Sequence, residues 1–198
     1  MDRDIKKLFD DGINNGNIII SAKDGKEIIC HSFVIKNQTS FQSFWSKESS
    51  GMRGSEKIKL EDYDSIVLIA VLNKMYNSEF MFNNLSPYAI ISAIKLIDYI
   101  AMKHSDSVVI ELCELFNEQI TTKNWKNLLE MIYGNKIYEK LINRISYFIL
   151  NGILEHDIID NDPFDGIDMN SDLGKFLTKL LRRKIQIQRP STDYDIDL

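Results

Sequence analysis

The chain has two cysteines, Cys30 and Cys113, in 198 residues. Two thiols cannot build a disulfide framework, and that scarcity fits a reducing compartment, the cytoplasm or the nucleus. Three prolines and nine glycines exclude collagen-like and linker-rich classes. No apolar run approaches the roughly 18 residues that a membrane span needs. The opening Met1-Asp2-Arg3-Asp4-Ile5-Lys6-Lys7 has no apolar stretch behind a basic head, so no secretory signal is expected. A basic excess is missing too: 24 Lys and Arg stand against 29 Asp and Glu, for a formal net charge of −5. A dedicated nucleic-acid binder carries a basic face, so neither nucleic acid nor membrane is an expected partner.

What remains is a chain that is 44% apolar and 27% charged, enough to bury a core as one domain, or one domain with a small companion. Ile is the commonest residue at 30, with 18 Lys and 16 Asn. That bias follows AT-rich coding DNA, as in a large DNA virus, and speaks of the genome and not the fold.

Along the chain, Ile5, Leu8 and Phe9 are spaced i, i+3, i+4, one apolar stripe on a short helix over residues 1–12. Alone, such a helix would fray. Ile18-Ile19-Ile20 reads as a β-branched strand, Asp24-Gly25 as a hairpin turn, and Glu27-Ile28-Ile29-Cys30 as the returning strand. The unbroken apolar runs predict burial on both faces. Phe33, Val34, Phe41, Phe44 and Trp45 suit two brief helices over 32–47, followed by a polar loop and a short strand at Ile58-Lys59-Leu60. Asp64 is placed to cap a helix over 65–76, striped by Val67, Leu68, Val71, Leu72 and Met75. Ser86 and Pro87 start another. Over 88–101 it is apolar nearly all round, Tyr99 included, so it belongs in a core. Helical patterns follow at 106–120, 122–132 and 135–150. An acidic loop spans Glu155 to Asp172. A basic amphipathic helix over 172–184 sets Phe176, Leu177, Leu180 and Leu181 opposite Lys175, Lys179 and Arg182. An acidic tail runs from Asp193 to Leu198.

No catalytic constellation emerges. Neither Cys-x-x-Cys nor His-x-x-x-His spacing occurs, so a metal is not expected. Cys30 beside His31 reads as a core thiol next to a helix-opening histidine. The loop Asp160-Asn161-Asp162-Pro163-Phe164-Asp165-Gly166 places Pro163 where a calcium loop needs a side-chain oxygen. That weakens a divalent-ion or enzymatic reading of 155–172. There is no Gly-x-Ser-x-Gly elbow and no phosphate-binding glycine loop. Catalytic residues and cofactors are therefore expected to be none, and function is expected to reside in binding surfaces.

Four segments, in order, resemble the BTB/POZ domain. Ile28-Ile29-Cys30-His31-Ser32-Phe33-Val34-Ile35 is similar to that family's strand-to-helix segment, and Thr39-Ser40-Phe41 to the step after it. Ile58-Lys59-Leu60-Glu61-Asp62 resembles the third strand and its acidic exit. Leu68, Val71, Leu72, Met75, Tyr76, Glu79 and Phe80 fall in register with the helix end that follows, and Ala93, Leu96, Ile97, Met102 and Cys113 with the last helical hairpin. The resemblance covers residues 1–120. It implies an α+β fold, a small three-stranded sheet covered by paired helical hairpins, followed by an all-α extension. Residues 121–151 are similar to the first BACK-domain helices, through Trp125, Leu128, Ile132, Tyr138, Leu141, Phe148 and Ile149. The remaining 152–198 hold the acidic loop, basic helix and tail.

The family resemblance implies a homodimer, with Ile5, Leu8, Phe9 and Phe33 at the interface. It also implies an adaptor or scaffold for a cullin-based ubiquitin ligase, with Trp45, Met52, Arg53 and Gly54 as the cullin-binding candidate. Gly54 stands where cullin binders carry Glu, which favours an alternative role: assembling with, or competing against, other BTB proteins. Asn17 and Gln38 replace a charged Asp–Arg pair found beneath many family dimers. No Kelch, zinc-finger or ankyrin module follows, so the usual substrate-reading part is not expected here.

Overall fold

A computed structural model describes residues 16–40, 56–77, 79–153 and 164–188. The chain is α+β and divides into two compact units between Gln119 and Ile120, with Lys136–Tyr138 joining the first unit. The expected N-terminal helix, the second of the paired short helices and the acidic tail lie outside the described residues.

In the first unit, β1 (Ile18–Ala22) and β2 (Glu27–Cys30) form an antiparallel hairpin. Its turn places Gly25 at φ 77°, a left-handed conformation that glycine enters without steric penalty. Helix α1 (Ser32–Gln38) follows directly. Strand β3 (Glu56–Leu60) then lies parallel to β1, giving the order β2-β1-β3. It begins two residues before the expected Ile58, because Glu56 and Lys57 extend the ladder without apolar side chains. Ile18, Ile20, Ala22, Ile28, Cys30 and Ile58 are buried on one face. The prediction of burial on both faces fails at β2, where Glu27 and Ile29 are exposed between buried neighbours. Successive side chains on a pleated strand alternate between faces, and Lys57 bonds Glu27 at 2.6 Å on the exposed side.

Helices α2 (Ser65–Tyr76), α3 (Pro87–Tyr99) and α4 (Ser105–Gln119) complete this unit. Ser86 caps α3 by accepting from the Ala89 amide at 3.2 Å, with Pro87 in the first turn. Asp64 does occupy the cap position of α2, but its side chain makes no capping bond. Ser65 instead donates to Asp24 Oδ2 at 2.6 Å, holding that carboxyl below its usual range. Buried Ile90, Ile91, Ala93, Ile94, Leu96 and Ile97 make α3 the central helix. Tyr99, expected in the core, is instead 49% exposed. It shares a stripe with exposed Lys95 at i, i+4, and the Lys95 ammonium lies 5.9 Å from the buried Tyr63 ring.

Lys74 and Glu111 tie α2 to α4. The Lys74 ammonium donates to Glu111 Oε2 at 2.7 Å and to the Phe80 carbonyl at 2.8 Å, and lies 5.6 Å from the Phe82 ring centre. The loop after α3 closes on the end of α1: Thr39 bridges Met102, and the Lys103 amide donates to the Gln38 carbonyl at 2.8 Å.

The second unit contains α5 (Trp125–Ile132), α6 (Glu139–Phe148) and α7 (Asp172–Gln188). The continuous helix expected over 135–150 is not one element. A 3-10 turn at Lys136–Tyr138 precedes α6, and a π turn at Ile149–Ile153 follows it. Trp125, Leu128, Leu129, Ile132, Leu141, Ile145, Ile149 and Leu177 are fully buried here. Trp125 meets Phe164 edge-on at 6.1 Å, and Tyr133 meets Phe176 at 5.2 Å. Gly174 is required by close approach: a Cβ there would overlap the Asp168 carbonyl and Met169. Among the described residues, no helix is long and apolar enough to cross a membrane.

Candidate protein-interaction surface

The sheet hands the chain to α1 through four residues, Ile29 to Ser32. Asn17 holds the far side of this junction. Its Oδ1 accepts from the Ser32 amide at 2.9 Å, satisfying one of the donors that a helix start leaves open. Its Nδ2 donates to Ser32 Oγ at 2.9 Å, and its amide donates to the Cys30 carbonyl at 3.1 Å. Gly16 precedes it because a Cβ would lie 2.6 Å from the Cys30 carbonyl oxygen.

His31 is buried at the cap position of α1. Its amide donates to Tyr76 Oη at 2.6 Å, and its Nδ1 lies 3.0 Å from the same oxygen. Burial pushes the Tyr76 hydroxyl up to about 12, so it stays un-ionised at ordinary pH. The His31 ring also contacts Phe33, centres 5.7 Å apart.

On this rigid base two apolar side chains face solvent. Ile29 is 37% exposed and Phe33 is 48% exposed. Ile29 pairs across the hairpin with Ile19, which is half-buried. Phe33 was the one predicted interface residue within the described parts, and it is surface-exposed. Ile5, Leu8, Phe9, Trp45, Met52, Arg53 and Gly54 lie outside them. Asn17 and Gln38 do not bond each other through any contact seen; Asn17 serves Ser32, and Gln38 offers its backbone carbonyl to Lys103. Sequence reasoning missed Ile29 and Tyr76. Strand alternation after Cys30 would have found the first. Nothing local signals the second, which lies 45 positions from His31.

The remaining chemistry is muted. Cys30 is buried, and desolvation pushes its thiol up to about 12, so no thiolate forms near neutrality. Cys113 is buried as well. Among the described residues no group of three or more His, Cys, Asp or Glu is arranged to hold a metal ion. An apolar space of about 30 Å³ lies between Ile20, Ile58, Leu68, Met75 and Leu96. That is room enough for a water molecule, but its almost wholly apolar walls offer little to hold one.

No protein-family model matches the chain, and no curated protein matches it.

Proposed function

We propose that the chain is a protein–protein interaction module with a BTB/POZ-like first unit that pairs with a second copy of itself. The observation that carries this reading is the exposure of Ile29 and Phe33 on a junction whose backbone is fixed by Asn17 and Tyr76. A bare aromatic on a rigid base loses little freedom when covered, which is the property of a binding hot spot. A two-fold axis would bring the same patch of two copies together, since an isologous interface is self-complementary. The order of hairpin, short helix, parallel strand and helical hairpins supports the same reading. The proposed role is an adaptor or scaffold for a cullin-based ubiquitin ligase, docked through the stretch holding Trp45 and Met52-Arg53-Gly54. Binding, not catalysis, is the activity proposed.

Gly54 favours a second reading. A glycine brings no carboxylate to a cullin, so a protein that assembles with or competes against other BTB proteins is the alternative.

Light scattering tests the pairing. At about 50 μM the expected mass is twice 23.0 kDa. Phe33→Asp should weaken the dimer by about tenfold or more without changing the circular dichroism. A wild-type monomer at that concentration would overturn the proposal. For the cullin role, the wild type should co-elute with a cullin N-terminal domain and Met52→Asp should not. Separate elution of the wild type leaves the second reading, which a pull-down against a set of BTB domains then tests.

A further inference from the structure

The sequence segregates charge sharply near its end. Residues 173–192 hold Lys175, Lys179, Arg182, Arg183, Lys184 and Arg189 and no acid, within a chain of net charge −5. On α7 the side chains of Lys175, Lys179, Arg182 and Arg183 are exposed, at spacing i, i+4, i+7, i+8. Like charges four apart on a helix repel, and the stretch 173–192 holds no acid that would relieve this. Lys175 reaches Asp172 at 3.7 Å, in the first turn; among the described residues no ion pair is seen for Lys179, Arg182 or Arg183. The opposite face is already used, with Leu177 and Leu180 buried in the second unit. That removes the apolar surface an interfacial membrane helix inserts. A polyanion is the partner this face fits.

The sequence supplies one. Asp193, Asp195 and Asp197 alternate with Tyr194 and Ile196. Extended backbone places alternate side chains on one side, about 6.6 Å apart. Four residues of α-helix rise about 6 Å, so the spacing of the three acids matches that of Lys175, Lys179 and Arg183. Arg189-Pro190-Ser191-Thr192 lies between α7 and the first of these acids, with Pro190 suited to a turn. We propose that the exposed basic face of α7 is a docking site for an extended acidic peptide, and that its occupant is the chain's own Asp193–Asp197 stretch. A short tether raises the local concentration into the millimolar range, which compensates for the weakness of exposed ion pairs. A long polyphosphate fits less well, because exposed Asp165, Asp168 and Asp172 lie at and ahead of the start of α7; a five-residue stretch need not meet them.

The test uses the full chain with Asp193, Asp195 and Asp197 replaced together by Asn, and a fluorescent peptide of residues 191–198 as probe. By anisotropy at about 20 mM salt, the triple variant should bind the probe about tenfold or more tighter than the wild type, whose site is filled. Binding should vanish at about 0.5 M salt. Adding Lys179→Glu and Arg183→Glu should abolish it, and Lys179→Gln with Arg183→Gln should weaken it should the reversals disturb folding. Equal binding by wild type and triple variant would overturn the proposal. So would binding that survives both charge changes, or tighter binding of a DNA oligonucleotide of equal charge.

Discussion

Around His31, the first unit leaves Ile29 and Phe33 uncovered on elements tied down by Asn17 and Tyr76. Along α7, the second unit leaves four cations uncovered on a helix whose apolar side is buried. Both surfaces stand on a well-packed base, yet they call for different partners. An apolar remainder gains by removing area from water, whatever covers it, and salt does not weaken that gain. A charged remainder is screened by salt within about 8 Å at physiological ionic strength. The contrast yields a direct comparison: self-association through Phe33 should persist at about 0.5 M salt, where α7 loses its peptide.

The base itself can be broken in either unit. Leu96 is buried in α3 and Trp125 is fully buried in α5. Leu96→Ala is expected to destabilise the first unit by about 2–5 kcal/mol, and Trp125→Ala the second by about 3–5 kcal/mol. Denaturant titration followed by far-UV circular dichroism reads both. Phe33→Ala, by contrast, should fall within about 0.5 kcal/mol of wild type in the monomer, as surface substitutions do. A large loss there would make Phe33 part of the core and remove it from the interface.

Polar ties come next in size. Glu111→Ala would leave the nearly buried Lys74 ammonium with the Phe80 carbonyl and the Phe82 ring alone, at a cost of about 2 kcal/mol or more. Tyr76→Phe removes the acceptor of the His31 amide and the hydrogen-bond partner of Nδ1. Leaving that buried amide unsatisfied costs about 1–3 kcal/mol. The same hydroxyl sets an alkaline limit. Tyr76 and Tyr63 are raised from 10.0 to about 12, and Cys30 from 9.0 to about 12, all by burial first. Between pH 9 and 12 the unfolded chain releases protons that the folded chain retains, so stability is full below pH 9 and falls as pH rises. Urea midpoints measured across that range should decline, and Tyr63→Phe should flatten the decline above pH 10.

Much of this was legible in the sequence where a local rule decided the outcome. Helix α2 occupies the expected 65–76 because its stripe of Val67, Leu68, Val71, Leu72 and Met75 repeats at helical spacing and Asp64 precedes it. Helix α3 starts at Pro87 because Ser86 and Pro87 are a cap and a first-turn residue. Tertiary pairing was not legible. Ile29 looked buried because its neighbours are apolar, but the alternation of the strand turns it outward. The partner of His31 comes from another helix, and no spacing rule links positions 31 and 76. The break between Tyr138 and Glu139 is likewise invisible in a pattern that stays helical throughout.

The two helix starts sharpen the distinction between what a residue type promises and what its geometry delivers. Asp64 and Ser86 hold equivalent positions, and both types are strong N-caps. Ser86 Oγ accepts from the Ala89 amide, so Ser86→Ala strands one donor at the start of α3 and should cost about 1 kcal/mol. Asp64 makes no side-chain capping bond, so Asp64→Ala loses only the attraction of its charge for the helix dipole, a few tenths of a kcal/mol at an exposed position. High salt should erase most of the Asp64 effect and leave the Ser86 effect intact, since one is a screened field and the other a direct bond. Thermal unfolding of the two variants at about 20 mM and about 0.5 M salt measures both differences. Equal losses at both positions would mean that Asp64 caps its helix in solution after all, and that residue type, not the observed geometry, governs how these helices begin.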